Sequence, residues 1–358
     1  MAEVCLGLAL LALTAYAVLG GADLGAGFWD LTAGGDRRGG RVRGMIQRSM
    51  SPVWEANHVW LIFLLVVLWT AFPVFFGSIM STLYVPLFGA ALGIIFRGTA
   101  FAVRGQAATI NEARVFGAVF ATSSVLVPFF FGTVVGAIAS GQVPVGNALG
   151  APMDSWLNPT SILIGVLAVV SCAYISAVYL AADAAAADLP DMVEAFRRRA
   201  LGAGVVAGAV AIGGLAVVHS DARSLYDGLT SGGGLVFVIA SAVIGVVTLA
   251  LVWTRRLAVA RFTSAAAVVC ITVGWAFAQS PDLLPGELTL DEAAAGDATL
   301  TALLISVGVG LCVLVPSLVY LYRLVLKGTL QQQFEPLDQR FRPLTASDEP
   351  PPTDLPKP

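Results

Sequence analysis

Nine stretches of mainly apolar residues run through this 358-residue chain, at approximately 4–29, 54–74, 78–101, 115–139, 160–182, 200–219, 235–254, 262–280 and 300–326. A helix rises about 1.5 Å per residue, so about 20 residues cross roughly 30 Å of hydrocarbon. In lipid each backbone N–H and C=O must be satisfied within its own segment, so stretches of this length fold as helices. The pattern predicts an all-α integral membrane protein with nine transmembrane helices packed as bundles. Composition agrees: the chain is 57% hydrophobic and 12% charged, whereas soluble domains are about one quarter charged. Pro73 and the turn at Phe75-Phe76-Gly77 separate the second span from the third by only a few residues. The apolar stretch at the N-terminus follows Glu3 with no basic region before it, so it is expected to be a retained helix and not a cleaved signal.

The cationic residues test this count. Lys and Arg in short loops favour the cytoplasm. Arg37, Arg38, Arg41, Arg43 and Arg48 follow the first span, Arg104 and Arg114 the third, and Arg197, Arg198 and Arg199 the fifth. Arg255, Arg256 and Arg261 follow the seventh, and Arg323, Lys327, Arg340, Arg342 and Lys357 the ninth, so 18 of the 20 basic residues fall on one side. Only Arg223 lies opposite, and Arg97 lies inside a span. An N-terminus outside and a C-terminus in the cytoplasm are therefore expected. The connections 141–158, 220–234 and 280–299 read as ordinary exposed loops facing outward. Residues 1–328 form the membrane domain, and 329–358, rich in Gln and then in Pro and acids, read as a polar cytoplasmic tail.

Several functions are set aside by residue type. There is no basic patch for nucleic acid, no Walker loop, no His-Glu-x-x-His pair and no Gly-x-Ser-x-Gly elbow in a suitable context. Cys5, Cys172, Cys270 and Cys312 lie in apolar stretches without metal-binding spacing and read as small core residues. Two histidines, His58 and His219, are too few to serve several six-coordinate haems, so no multihaem centre and no metal site is expected on this chain alone.

The polar residues inside the spans carry the functional signal, because a charge in a bilayer is costly and seldom idle. Asp23 lies in the first span, Arg97 in the third, and Glu55 in the run Trp54-Glu-Ala-Asn-His-Val-Trp60 at the start of the second. All three fall near the cytoplasmic ends of consecutive helices, and a carboxylate pair sharing Arg97 is one arrangement open to them. Two readings stand side by side: a proton entry path through the two carboxyl groups, or an ion pair that stitches helices together. His58, three residues after Glu55, can join the same polar face or make an ordinary helix contact. Trp54, Trp60 and Trp69 read as interfacial anchors, Gly21 to Gly25 has the spacing that lets a neighbouring helix approach, and Pro73, Pro86, Pro128 and Pro316 are expected to bend or end helices.

Four motifs then form a pattern: Gly21-Ala-Asp-Leu-Gly-Ala-Gly27, Pro52-Val-Trp-Glu-Ala-Asn-His-Val-Trp-Leu61, Thr70-Ala-Phe-Pro73 and Phe96-Arg-Gly-Thr-Ala-Phe101. In order and spacing they resemble subunit II of the cytochrome bd-type quinol oxidases; beyond residue 115 the likeness is mainly topological. The resemblance implies a heterodimer in a prokaryotic cytoplasmic membrane with a subunit I that carries two b-type haems, haem d and the quinol-oxidising site. It implies a complex that oxidises quinol and reduces oxygen to water. Chemical protons would come from the cytoplasm and quinol protons would leave outside, generating proton-motive force without a dedicated pump. This chain would be the non-haem partner, with no catalytic residue of its own. Asp23 and Glu55 match the family's polar pathway, with Glu55 standing where some members carry Asp. Trp54, Asn57, His58, Trp60 and Arg97 match residues assigned to orientation and local electrostatics. The resemblance leaves open the quinone species, a structural quinone or lipid on this chain, and small accessory subunits. The alternative from another class is a secondary transporter or channel, which calls for an inverted repeat and an unwound substrate site; neither is visible. A purely structural assembly subunit is a third option.

Overall fold

Where apolar length dictates helices, the chain forms them. The computed structural model describes residues 1–50, 54–104 and 109–326, which are helical almost throughout. The helices are α1 (Ala2–Ala15), α2 (Gly21–Leu31), α3 (Asp36–Met50), α4 (Trp54–Ala71), α5 (Pro73–Thr82), α6 (Tyr84–Arg104) and α7 (Ile110–Ala139). They continue with α8 (Pro159–Ala186), α9 (Pro190–Asp221), α10 (Arg223–Leu229), α11 (Gly232–Trp253), α12 (Leu257–Gln279), α13 (Leu290–Ala293) and α14 (Asp297–Leu326). A π-helical turn, Tyr16–Gly20, joins α1 and α2 into one helix. Among the described residues nine helices are long and apolar enough to cross a membrane: the fused α1–α2, then α4, α6, α7, α8, α9, α11, α12 and α14. The 329–358 tail, with Pro52 and Val53 of the second motif, lies outside the described residues.

Local signals set the ends. Pro159 and Pro190 occupy the first position of α8 and α9, where a missing N–H costs nothing. The side chains of Thr109 and Asn158 cap α7 and α8 by accepting from the backbone N–H of Glu112 (3.2 Å) and Ser161 (2.8 Å). Thr289 and Glu292 cap α13 reciprocally, and the donors of Thr289 hold the Glu292 carboxyl below the usual carboxylate range.

Four expectations need correction. The second span ends at Ala71 and the third begins at Tyr84, not at 74 and 78, because Pro73 starts a separate ten-residue helix after a break at Phe72. The basic stretch after the first span contains an amphipathic helix, α3, whose Val42, Met45, Ile46 and Met50 are buried in a cluster with Trp29, Val178 and Phe196. The connections 141–158 and 280–299 are packed caps as well as loops. Val143 and Trp156 are buried, the Ser78 hydroxyl accepts from Gly146 N–H (2.9 Å), and an antiparallel pair, β1 (Asp282–Leu284) with β2 (Leu288–Thr289), buries Leu284 and Leu288. Among the cysteines only Cys5 is buried, Cys172 and Cys270 are half-buried, and Cys312 is exposed, since α14 buries few of its residues.

With no aqueous driving force between them, membrane helices associate by close packing at small residues. The second half of the first span packs against α7 and α8, and its first half against α4 and α12. At Gly25 a Cβ would lie 1.9 Å from the Cys172 carbonyl oxygen, and at Gly27 2.2 Å from the Ser124 Cβ. Gly132 meets Gly165 in the same way between α7 and α8. α9, α11 and α14 bury little of themselves and turn residues such as Ile212, Val246 and Val313 outward.

Gly25→Ala is expected to force α2 and α8 apart and to lower thermal stability by about 1–3 kcal/mol. Gly208→Ala, where a Cβ meets open space, serves as the control, and both are compared by thermal unfolding of the detergent-purified protein.

Candidate functional site

Asp23 sits in α2 just before Gly25 and Gly27, the glycines that admit α8 and α7, and its carboxylate is matched from α6. Arg97 Nη2 lies 2.8 Å from Asp23 Oδ2, with the two side chains 1% and 2% exposed. The guanidinium also donates through Nε to Ser124 Oγ on α7 (3.0 Å), approaches the Asp23 carbonyl (3.4 Å), and lies over the Phe120 ring at 5.1 Å. The Ser124 hydroxyl donates a hydrogen bond to the Phe120 carbonyl (2.7 Å), which leaves its oxygen free to accept from Arg97. Three spans therefore meet at one buried charge pair. A pair so desolvated is weak evidence for net stability, but removing one member strands the other charge.

The π turn just before Asp23 is tied down from two further spans. Asn57 Nδ2 on α4 donates to the Leu19 carbonyl (3.2 Å), and Tyr322 OH on α14 donates to Asn57 Oδ1 (3.1 Å). The Tyr16 ring lies against Gly20, where a Cβ would come within 2.8 Å of it. Its ring centroid is 6.0 Å from those of both His58 and Phe131. His58 is half-buried, and Asp23, Arg97 and His58 are near enough to feel one another's charge.

Glu55 stands apart. It is exposed and takes no part in the Asp23–Arg97 pair, so the arrangement of two carboxylates sharing Arg97 is not formed. The reason is angular: the buried residues of α4 are Asn57, Val67 and Ala71, and two residues of helix turn Glu55 about 200° away from Asn57. Trp54 is half-buried against Phe101, with ring centroids 5.3 Å apart, and Trp60 packs near Phe63 at 6.5 Å. The site thus unites Asp23, Arg97, Asn57 and His58, while Glu55 remains on the surface of the chain close by.

The family model for cytochrome bd terminal oxidase subunit II matches residues 1–325. The chain belongs to this family. Cytochrome bd ubiquinol oxidase subunit 2 of Bacillus subtilis (strain 168) is 28% identical over 131 residues, an alignment covering 36% of this chain and 39% of that protein. The chain thus aligns with well under half the length of that relative. A chain in the structure of the bd oxidase from Geobacillus thermodenitrificans has the same fold, with a TM-score of 0.67 and 23% identity over 90% of this chain and 98% of its own.

For a bd oxidase subunit II the geometry also brings out residues that sequence reading missed. Ser124, Tyr16 and Tyr322 carry no charge and gave no signal in apolar segments. Asp30 is a stronger omission: it is buried at the end of the first span, bonded to Arg104 Nη1 (2.6 Å) and Arg43 Nε (3.0 Å). Those arginines were read only as topology markers. At the same end Glu194 gathers Arg197 (2.9 Å), Arg198 (2.8 Å) and Arg255 (3.3 Å), Asp183 pairs with Arg261, and Asp191 with Arg41. The basic loops therefore share one end of the bundle and are partly neutralised there.

Arg97→Gln is expected to strand the Asp23 carboxylate and cost about 3–5 kcal/mol. The double variant Asp23→Asn/Arg97→Gln should recover most of that loss. A double-mutant cycle read by thermal unfolding and membrane yield checks both outcomes.

Proposed function

We propose that this chain is the non-haem partner of a haem-bearing subunit I in a quinol:oxygen oxidoreductase, and that it supplies a cytoplasmic route for protons toward the oxygen-reducing centre. The complex oxidises membrane quinol and reduces oxygen to water. Protons consumed by oxygen come from the cytoplasm and protons of quinol leave outside, so turnover generates proton-motive force. In this reading the N-terminus lies outside, the C-terminus lies in the cytoplasm of a prokaryotic cell, and the end that gathers the arginines faces inward. A structural quinone or lipid and small accessory subunits are compatible with the assembly.

The observation that carries the proton route is the buried Asp23 carboxylate, whose Oδ2 lies 2.8 Å from Arg97 Nη2 but whose two oxygens both lack an aligned hydrogen-bond donor among the described residues. A carboxyl group held beside a cation at this depth can take up and release a proton as the local field changes. Glu55 supports the reading from the other side. An exposed acid at the start of a bilayer-crossing helix would be costly against lipid, and it is accommodated where subunit I or cytoplasmic water meets this face.

The residues here do not fit a haem. His58 stands near the start of α4 and His219 near the far end of α9 beside Tyr226, on different helices and opposite ends. Among the described residues no three His, Cys, Asp or Glu cluster to hold a metal. In this reading the two b-type haems and haem d belong to subunit I. A structural role for the same pair is favoured by its own geometry, since Arg97 joins three spans.

Glu55→Leu is expected to lower quinol oxidase turnover about tenfold or more with co-purification of subunit I and the haem spectrum unchanged. Asp23→Asn, nearly isosteric, should also lower turnover, and because it strands the Arg97 charge it should lower the stability of the complex as well. Unchanged turnover in both would sink the proton route, whereas loss of the complex in both would leave the structural reading.

A further inference from the structure

Burial places Asp23 in the core and Glu55 on the surface, and no contact joins them, so a route that uses both needs a group between. His58 is the titratable side chain in that position. It follows Glu55 by three residues on α4, which puts the two side chains on one flank of the helix, about 5–6 Å apart at Cβ. It is also about 4.5 Å deeper along the helix. On its other side it faces the Tyr16 ring at 6.0 Å, and it shares a local field with Asp23 and Arg97.

The hydrogen-bond pattern around it is unusual. His58 Nδ1, Tyr16 OH and Asp23 Oδ1 are each buried without a hydrogen-bond partner among the described residues. Buried polar atoms are nearly always bonded to protein or to ordered water, so three unbonded in one locality form a polar cluster that calls for an exchangeable proton or a bridging water. Every neighbour that fixes this cluster is otherwise occupied: Arg97 with Asp23 and Ser124, Asn57 with Leu19 and Tyr322.

We infer that His58 carries protons between Glu55 at the surface and Asp23 in the core, with Tyr16 as the positioning residue for its ring. A proton arriving from Glu55 binds one ring nitrogen while the other nitrogen releases its own toward Asp23. Exchange of tautomers then returns the ring to its starting form, with no net change of charge. An imidazole carries two ring nitrogens, so it can accept a proton at one and release a proton from the other, which suits a relay between two carboxyl groups. The inference rests on the proton route proposed above and changes the role expected of His58 from scaffold to carrier.

The test uses the whole oxidase complex. His58→Gln keeps size and hydrogen bonding but cannot relay a proton, and should lower turnover at least about tenfold with the haem spectrum and subunit stoichiometry intact. In His58→Ala, imidazole added to the medium should restore turnover, a rescue that a purely structural role would not give. Turnover of His58→Gln within about twofold of the parent, or absence of rescue in an assembled His58→Ala complex, overturns the relay. Should neither variant assemble, hydrogen–deuterium exchange at the imidazole C2 position of the unmodified complex, read peptide by peptide by mass spectrometry, decides. A sigmoidal rate for His58 between about pH 5 and 9 supports it, and a flat profile or no exchange overturns it. Slow Glu55→Leu and Asp23→Asn variants beside a normal His58→Gln remove His58 alone, whereas normal turnover in all three removes the proton route itself.

Discussion

An arginine in the middle of a bilayer-crossing helix must find an anion within the protein, because neither lipid nor distant water can compensate its charge. Arg97 meets that need with Asp23, and the requirement organises everything around it. The pair closes only if α2, α6 and α7 approach within side-chain reach, and Gly27 lets α2 come against Ser124 of α7. Asn57 and Tyr322 then tie the π turn that precedes Asp23 to the second and ninth spans. One desolvated charge pair thereby connects five of the helices that cross the membrane.

Membership of the cytochrome bd oxidase subunit II family gives this arrangement its context. A subunit with an ill-suited donor set for haem still needs polar groups in its interior if it is to serve an oxygen-reducing partner with protons. The same groups make good structural ties, so the two roles are not exclusive. What separates them physically is the unsatisfied side of the cluster. A tie needs each polar atom bonded, and Asp23 Oδ1, His58 Nδ1 and Tyr16 OH are buried without a hydrogen-bond partner among the described residues.

The arginine-rich end of the bundle shows the same principle at lower stakes. Asp30 is buried with Arg104 and Arg43, and the amphipathic α3 closes over that end with Val42, Met45, Ile46 and Met50. The acids Asp183, Asp191 and Glu194 pair with arginines that otherwise serve as topology signals. The charge density of this end is therefore less than a count of cations suggests.

Apolar length and the alternation of arginines made the nine spans legible in the sequence, because hydrophobicity over 20 residues and loop charge are local properties that lipid and water read directly. The depth of Asp23, Glu55 and Arg97 was legible for the same reason: rise along a helix is fixed by residue number. Depth does not determine direction around the axis. Which side of α4 faces inward depends on the small-residue contacts and hydrogen bonds of its neighbours, so only the tertiary structure could give Arg97 to Asp23 alone and turn Asn57 inward and Glu55 out. It likewise revealed Ser124, Tyr16 and Tyr322, neutral residues whose importance arises solely from what they touch. Sequence determined that charges would enter the membrane at one level; packing decided which of them meet.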